Sequence, residues 1–123
     1  MKKIFETRVT GIGAKASEFI TDNNMMILFG EGAPKDLVEY CYIIPMEKIT
    51  GNIVPGGTFI VDNQTFAITA VGDVVKQNLE TLGHITIAFD GEVSANLPGT
   101  LHVEKLATPL QIGNHAVLQL FEI

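Results

Sequence analysis

TFIVDNQTFAITAV, residues 58–71, is the stretch that decides the fold of this chain. Its two halves, 58–61 and 65–71, are rich in β-branched and aromatic residues, which favour extended backbone. The residues between them begin with Asp62 and Asn63, two residue types that tolerate the left-handed backbone conformation of a tight turn. The stretch therefore predicts two antiparallel strands joined by a short loop.

Strand-like composition recurs along the rest of the chain, punctuated by glycines and prolines. The six further candidate strands are 4–10, 25–29, 40–44, 84–89, 100–104 and 115–121. No regular alternation of strand and helix is present, which argues against a doubly wound parallel sheet. We therefore predict a mostly all-β fold, a small closed β-barrel of short strands. Because 123 residues is close to a common domain size, residues 1–123 are expected to form one domain.

One short helix is expected near residues 74–82. Asp73 precedes it and is expected to cap its free amide groups, and Gly83 follows it as a residue that readily takes positive φ. Apolar residues recur on one face at positions i, i+4 and i+7 (Val75, Leu79, Leu82). A weaker helical turn is expected to start at Pro34, which suits the first position of a helix.

Charge and cysteine content exclude several classes of function. The net charge is −6 and the eight basic residues are scattered, whereas a nucleic-acid surface needs clustered Lys and Arg. Cys41 is the lone cysteine, so no internal disulfide and no thiolate metal site is expected. The longest apolar run, 25–29, is too short to span a bilayer, and Glu6 interrupts the signal-like start. We expect a soluble, cytoplasmic protein that does not bind nucleic acid.

Two of the three histidines, His84 and His102, lie in short, strand-like stretches of alternating polarity, and histidine can carry protons or phosphoryl groups near neutral pH. His115 follows the turn at Gly113 and Asn114 and has no assigned role. His84 begins one strand and is a candidate phosphoryl acceptor. It also follows the predicted helix, whose C-terminal end is unfavourable for phosphate. His102 is the second candidate, and Thr100 and Glu104 share its face of the strand as possible supporting groups. A solvated polar strand face would give the same pattern, so both interpretations of His102 stay open.

Other kinds of site find little support in the sequence. The chain has no His-x-His, HExxH or CxxC spacing, so no metal site is predicted. Ser17 and Ser94 lie outside any GxSxG motif, which argues against a serine hydrolase. The glycine pair at 56–57 is a turn signal, since no Gly-Lys-Ser/Thr follows it. No cofactor is expected.

Several separated motifs together resemble one family, the glucitol/sorbitol-specific IIA component of the bacterial sugar phosphotransferase system. The motifs occur in order along nearly the whole chain: FGEGAP (29–34), EYCYI (39–43), AVGD (70–73), LGHIT (82–86), FDG (89–91) and PGTLHV (98–103). The resemblance implies a small closed barrel that accepts a phosphoryl group on a histidine from the carrier protein HPr. It also implies transfer to a cysteine on the IIB part of a IIB/IIC sugar permease. Asp73, in the third motif, is a further possible supporting residue.

One position departs from the family. The acceptor histidine of the family usually ends the strand that here covers 39–44, and the matching residue is Ile44, which has no nucleophilic atom. Three interpretations follow. The acceptor has moved to His84 or His102, the protein is a regulatory relative that binds its partners without carrying phosphate, or the resemblance reflects the fold alone.

Overall fold

The computed structural model describes residues 1–123, which form nine strands and three short helices. The strands are β1 Lys2–Arg8, β2 Gly11–Ile12, β3 Met25–Phe29, β4 Cys41–Ile43, β5 Thr58–Val61, β6 Gln64–Val71, β7 Ile85–Phe89, β8 Thr100–Val103 and β9 Val117–Glu122. The helices are α1 Ala16–Asn23, α2 Lys35–Val38 and α3 Val75–Thr81. None of these helices has the length and apolar character needed to cross a membrane.

All nine strands belong to one curled sheet. Its order is β1-β9-β5-β6-β8-β7-β3-β4-β2, so β1 and β2 lie at opposite ends. These two strands are nevertheless neighbours in sequence, separated only by Val9 and Thr10. The Val9 amide donates to Ala116 on the β9 side, and the Thr10 amide donates to Ile43 on the β4 side. One bent segment therefore joins the two edges. The mostly β, barrel-like architecture is confirmed, with the last gap bridged by the chain instead of a strand ladder.

The predicted hairpin is confirmed. Strands β5 and β6 pair antiparallel from Thr58↔Ala67 to Val61↔Gln64. Asp62 adopts the left-handed conformation that the turn requires, with φ of 52°. Its carboxylate also accepts a hydrogen bond from the Val117 amide at 2.9 Å, which ties the turn to the start of β9.

The core lies inside the curl of the sheet and follows the two-residue alternation of the strands. On β7, the side chains of Ile85, Ile87 and Phe89 are all buried. Phe89 packs edge-on against Phe66, with ring centroids 5.1 Å apart, and Phe66 comes from the predicted hairpin. Burying one such side chain contributes about 1.5–3 kcal/mol, so these alternating positions dominate the stability of the barrel.

The predicted helix near 74–82 is confirmed as α3, but two of its details are wrong. Val75 and Leu79 are buried as expected, whereas Leu82 is exposed. The N-cap residue is Val74 and no side chain caps the helix, so Asp73 does not perform the capping role assigned to it. Gly83 has φ of +68°, as its place after the helix predicted.

Helix α1 and strand β2 were not predicted, and α2 begins one residue later than expected because Pro34 is its N-cap. The α1 sequence contains Ser, Thr, Asp and Asn, which have low helix propensity. Only Ala16 and Ile20 of this helix are buried. With two inward residues, α1 lacks the apolar stripe by which an amphipathic helix is recognised.

Candidate functional site

The two candidate histidines lie on one face of the sheet but at different levels. Strand β7 runs parallel to β8, with Ala88 opposite His102. His84 precedes Ala88 by four residues and shares its face by the two-residue alternation. At about 3.3 Å per residue, the two rings are separated by about 13 Å along the strands. They therefore form two sites, not one.

His102 is held inside the protein by a carboxylate. Its side chain lies against Asp90, with Nδ1 2.9 Å from Oδ1 and 3.1 Å from Oδ2. Because a carboxylate only accepts, Nδ1 carries the proton and donates it. The other ring nitrogen, Nε2, is sealed from solvent and has no hydrogen-bond partner. With the residue only 9% exposed, an incoming phosphoryl group cannot reach this ring, so the geometry disfavours His102 as an acceptor.

The contact with His102 changes the pKa of the Asp90 carboxyl group. Burial pushes the pKa of its carboxyl group upwards, but the hydrogen bond from His102 and the backbone amide of Glu92 outweigh that effect. The net result is a pKa below the ordinary value of Asp. The carboxylate also accepts the Glu92 amide at 3.1 Å, so it connects β8 to the start of the crossover segment, residues 90–99. The His102–Asp90 pair is therefore built as a structural clamp.

The supporting groups predicted for His102 lie elsewhere. Glu104 is exposed, and its carboxylate accepts a hydrogen bond from the amide of Ala67 at 2.6 Å. Thr100 is buried on β8 without a side-chain bond to the ring, and Asp73 is exposed beside α3. The actual partner, Asp90, was missed because it becomes adjacent only through the parallel pairing of β7 and β8. The two-residue alternation of residues 84–90 places Asp90 on the same face as His84 and Ala88.

His84 is positioned differently and keeps one nitrogen free. Its Nδ1 lies 3.2 Å from the carbonyl oxygen of Leu28, which can only accept, so Nδ1 carries the proton. The ring stacks on Phe29, with centroids 4.3 Å apart and planes 22° from parallel. Nε2 has no partner within the protein, and it is not sealed as Nε2 of His102 is. With the proton on Nδ1, the neutral form of the ring has its nucleophilic lone pair on Nε2, at a half-buried position.

The residues next to His84 form a row that crosses strands β3, β4 and β2. Phe29 is paired with Ile43 on β4, and Ile43 is paired with Gly11 on β2. Ile44 comes directly after this row and its amide donates to the Phe29 carbonyl at 2.9 Å. Its side chain points the other way, into the core, where it is 0% exposed. Ile44, which matches the family's acceptor, and His84 therefore both lie next to Phe29, at the end of β3, but on opposite faces of the sheet.

Other features of the surface offer less chemistry. No three His, Cys, Asp or Glu side chains are grouped so that they could hold a metal ion. An open depression between α1 and the 106–110 loop is lined by Ile20, Thr21 and Asn24 and contains no titratable side chain. Cys41 is buried, and burial raises the pKa of its thiol. His84 is a half-buried nucleophile that the hydrogen bond to Leu28 and the stacked Phe29 ring hold in place.

Comparison with known proteins agrees with this architecture. Residues 4–117 match the model of the family "PTS system glucitol/sorbitol-specific IIA component". The chain is 45% identical over 103 residues to the glucitol/sorbitol-specific EIIA components of Shigella flexneri and Escherichia coli K12, covering 84% of this chain and 83% of each relative. A solved PTS system IIA component from Enterococcus faecalis V583 has a similar fold, with a TM-score of 0.81 at 23% identity over 96% of this chain and all of that one. This chain belongs to the family of glucitol/sorbitol-specific IIA components of the phosphotransferase system.

Proposed function

We propose that this chain accepts a phosphoryl group on Nε2 of His84 from the phosphohistidine of HPr. It then passes the group to the IIB part of a glucitol/sorbitol-type permease. Membership of the IIA family supports a phosphocarrier role and contact with other components of the system. The observation that carries the choice of residue is the hydrogen bond from His84 Nδ1 to the Leu28 carbonyl, which leaves Nε2 as the free nucleophile. This role takes place in the cytoplasm, where a IIA component meets its partners.

The transfer needs little from the chain beyond a positioned nucleophile. The Nε2 lone pair attacks phosphorus, the phosphorus–nitrogen bond of the carrier breaks, and its imidazole leaves with the electron pair. Nδ1 keeps its proton, which is hydrogen-bonded to Leu28 throughout. In the second step, a IIB cysteine thiolate attacks the same phosphorus, and the bond to His84 breaks. The stacked Phe29 ring limits rotation of the imidazole and so lowers the entropic cost of both steps.

A second function is favoured by one specific observation. Ile44, at the position that matches the family's acceptor, is completely buried and has no nucleophilic atom. A relative that has lost phosphoryl transfer would keep the partner-binding shape of the family and act as a regulatory subunit. This alternative predicts binding to HPr or the permease without any phosphorylation.

The test is phosphorylation in a reconstituted system. The purified protein is incubated with phosphoenolpyruvate, enzyme I and HPr, and intact mass is measured for an acid-labile gain of one phosphoryl group. We expect the gain in the wild type and its loss in His84→Ala. His115→Asn is the matched control, since this exposed histidine has a φ of 70° that asparagine also tolerates.

Each other outcome overturns part of the proposal. A gain that persists in His84→Ala and is lost in His102→Ala assigns the acceptor to His102. No gain in the wild type, together with measurable binding to HPr, supports the regulatory relative.

A further inference from the structure

We propose that the crossover segment, residues 90–99, fixes the position of His84, and that His102 is a positioning residue for phosphoryl transfer because it holds this segment in place. The inference deepens the proposed function and rests on it for the reaction that His84 performs. It assigns a role to a buried ring that an incoming phosphoryl group cannot reach. Its experiment observes the His84 ring in the unphosphorylated protein, so it can fail separately from the transfer.

The His102 ring has one nitrogen that its burial leaves unpaired. All four residues of β8 are buried, so both faces of this strand are covered. Under that cover, Nε2 of His102 has no hydrogen-bond partner, whereas Nδ1 donates to Asp90 at 2.9 Å. An apolar side chain at this position would avoid the free-energy cost of the unpaired nitrogen. The imidazole is therefore useful here through Nδ1, and Nδ1 holds the first residue of the crossover segment.

The start of the crossover segment is attached to the sheet by three contacts. Asp90 accepts the hydrogen bond from His102, and the amide of Gly91 donates to a β8 carbonyl at 2.8 Å. The carbonyl of Glu92 accepts the hydroxyl of Thr69, on β6, at 2.6 Å. The contact with His102 is the one made to a carboxylate, and hydrogen bonds to an ionised group are the stronger kind. His102 therefore provides the main side-chain anchor for this end of the segment.

The end of the crossover segment is bonded to the chain on both sides of His84. The carbonyl of Pro98 accepts the amide of Val74 at 3.0 Å, and Val74 is the N-cap residue of α3. The carbonyl of Gly99 accepts the amide of Thr86 at 3.1 Å, and Thr86 lies two residues after His84. These two bonds enclose the stretch from α3 to β7 that carries His84. A movement of the crossover segment therefore moves this stretch with it.

Close packing at Gly72 strengthens this connection. A Cβ on Gly72 would lie 2.6 Å from the Leu97 carbonyl oxygen, and closer still to that of Pro98. The backbone of the crossover segment thus lies directly against the residues that lead into α3. His84 itself depends on a single bond, from Nδ1 to the Leu28 carbonyl at 3.2 Å. If the segment loosens, this bond is lost for part of the time, and the ring proton can move to Nε2 and remove the nucleophilic lone pair.

The experiment compares His102→Leu with His102→Asn. Long-range ¹H–¹⁵N NMR spectra of the imidazole rings, recorded at a pH where His84 is neutral, show which ring nitrogen carries the proton. We expect the Nδ1–H form of His84 in the wild type and a mixture of both forms in His102→Leu, which has no donor for Asp90. Phosphorylation by HPr should slow by roughly tenfold or more in that variant, because the nucleophile is misplaced. His102→Asn keeps a donor near the position of Nδ1 and should restore the wild-type spectrum and most of the rate.

Two more variants separate positioning from a general loss of stability. Val61→Ala shortens a completely buried side chain on β5, away from the crossover segment, and should leave the His84 spectrum unchanged. Thr69→Val, at an exposed position, removes the bond to the Glu92 carbonyl and should shift His84 in the same direction as His102→Leu. This variant provides the test if His102→Leu does not fold.

Each result either supports the positioning role or overturns it. An unchanged His84 spectrum in His102→Leu, or in Thr69→Val where His102→Leu does not fold, overturns it. The same mixture of forms in Val61→Ala also overturns it, since any destabilisation would then suffice. A failure of His102→Asn to restore the spectrum contradicts the role of Nδ1. If the wild type is never phosphorylated but the His84 spectrum changes as expected, the positioning stands while the proposed transfer fails.

Discussion

Replacing Asp90 with alanine tests the interpretation of the His102–Asp90 pair as a clamp. In the wild type, His102 Nδ1 donates to the carboxylate at 2.9 Å, and the other ring nitrogen already has no partner. Removing the carboxylate leaves a buried donor unsatisfied, which costs about 1–3 kcal/mol. The Glu92 amide loses its acceptor as well, but it lies in an exposed segment where water replaces the carboxylate. We therefore expect a loss of about 2 kcal/mol in the free energy of unfolding.

The pH dependence gives a second, sharper measurement. The pKa of Asp90 is lower in the folded protein than in the unfolded chain, so the unfolded state binds the proton more readily. The pair therefore stabilises the fold fully above the unfolded pKa of about 4, and this stabilisation is lost as pH falls through the lowered folded value. Urea unfolding at a series of pH values should show a smaller stability difference between wild type and Asp90→Ala at the acidic end. The Asp90 side chain is 38% solvent-exposed, so salt reduces the effect.

Asp73→Ala is the matched control. Asp73 is an exposed aspartate that caps no helix, so its removal should change the free energy of unfolding by less than about 0.5 kcal/mol. The clamp interpretation is refuted if Asp90→Ala is as stable as Asp73→Ala at neutral pH. It is also refuted if the two variants have the same pH profile.

Two further substitutions test the region around His84. Ile44→Ala should destabilise the protein by about 3 kcal/mol, because it removes a completely buried side chain; unchanged urea unfolding would contradict that burial. Gly83→Ala should destabilise the protein by more than about 1 kcal/mol, since φ is +68° and a Cβ would lie 2.7 Å from the Gly30 amide nitrogen. That variant should also phosphorylate more slowly than wild type, because His84 is the next residue; an unchanged rate would show that the turn does not position the ring.

The strands could be predicted because their signal is local. Alternating burial on β7 and the turn residues of the β5–β6 hairpin act over a few residues, so they can be read directly from the sequence. The bent segment across Val9 and Thr10 could not, since its two halves pair with β9 and β4, which are far apart in sequence. Helix α1 was missed for the opposite reason: it has a weak local signal and is held in place by tertiary contacts with β3.

The side-chain contacts of the candidate site could not be predicted for a similar reason. Glu104 shares a strand face with His102 and was therefore expected to support it. Its carboxylate turns instead to the Ala67 amide on β6, a neighbour that the sequence does not identify. Asp90 reaches His102 only because the 90–99 crossover returns the chain to a parallel strand beside β7. A side-chain contact that depends on strand order cannot be predicted from the spacing of residues along the sequence.

Ile44 and His84 lie on opposite faces of the sheet, and this determines the side from which a partner can approach. Ile43 faces outward in the row with Phe29, so Ile44 faces the core by the alternation of the strand. An acceptor at residue 84 lies on the outward face, where its ring stacks on the half-buried ring of Phe29. A carrier that delivers a phosphoryl group to His84 must therefore contact the outer face of the sheet.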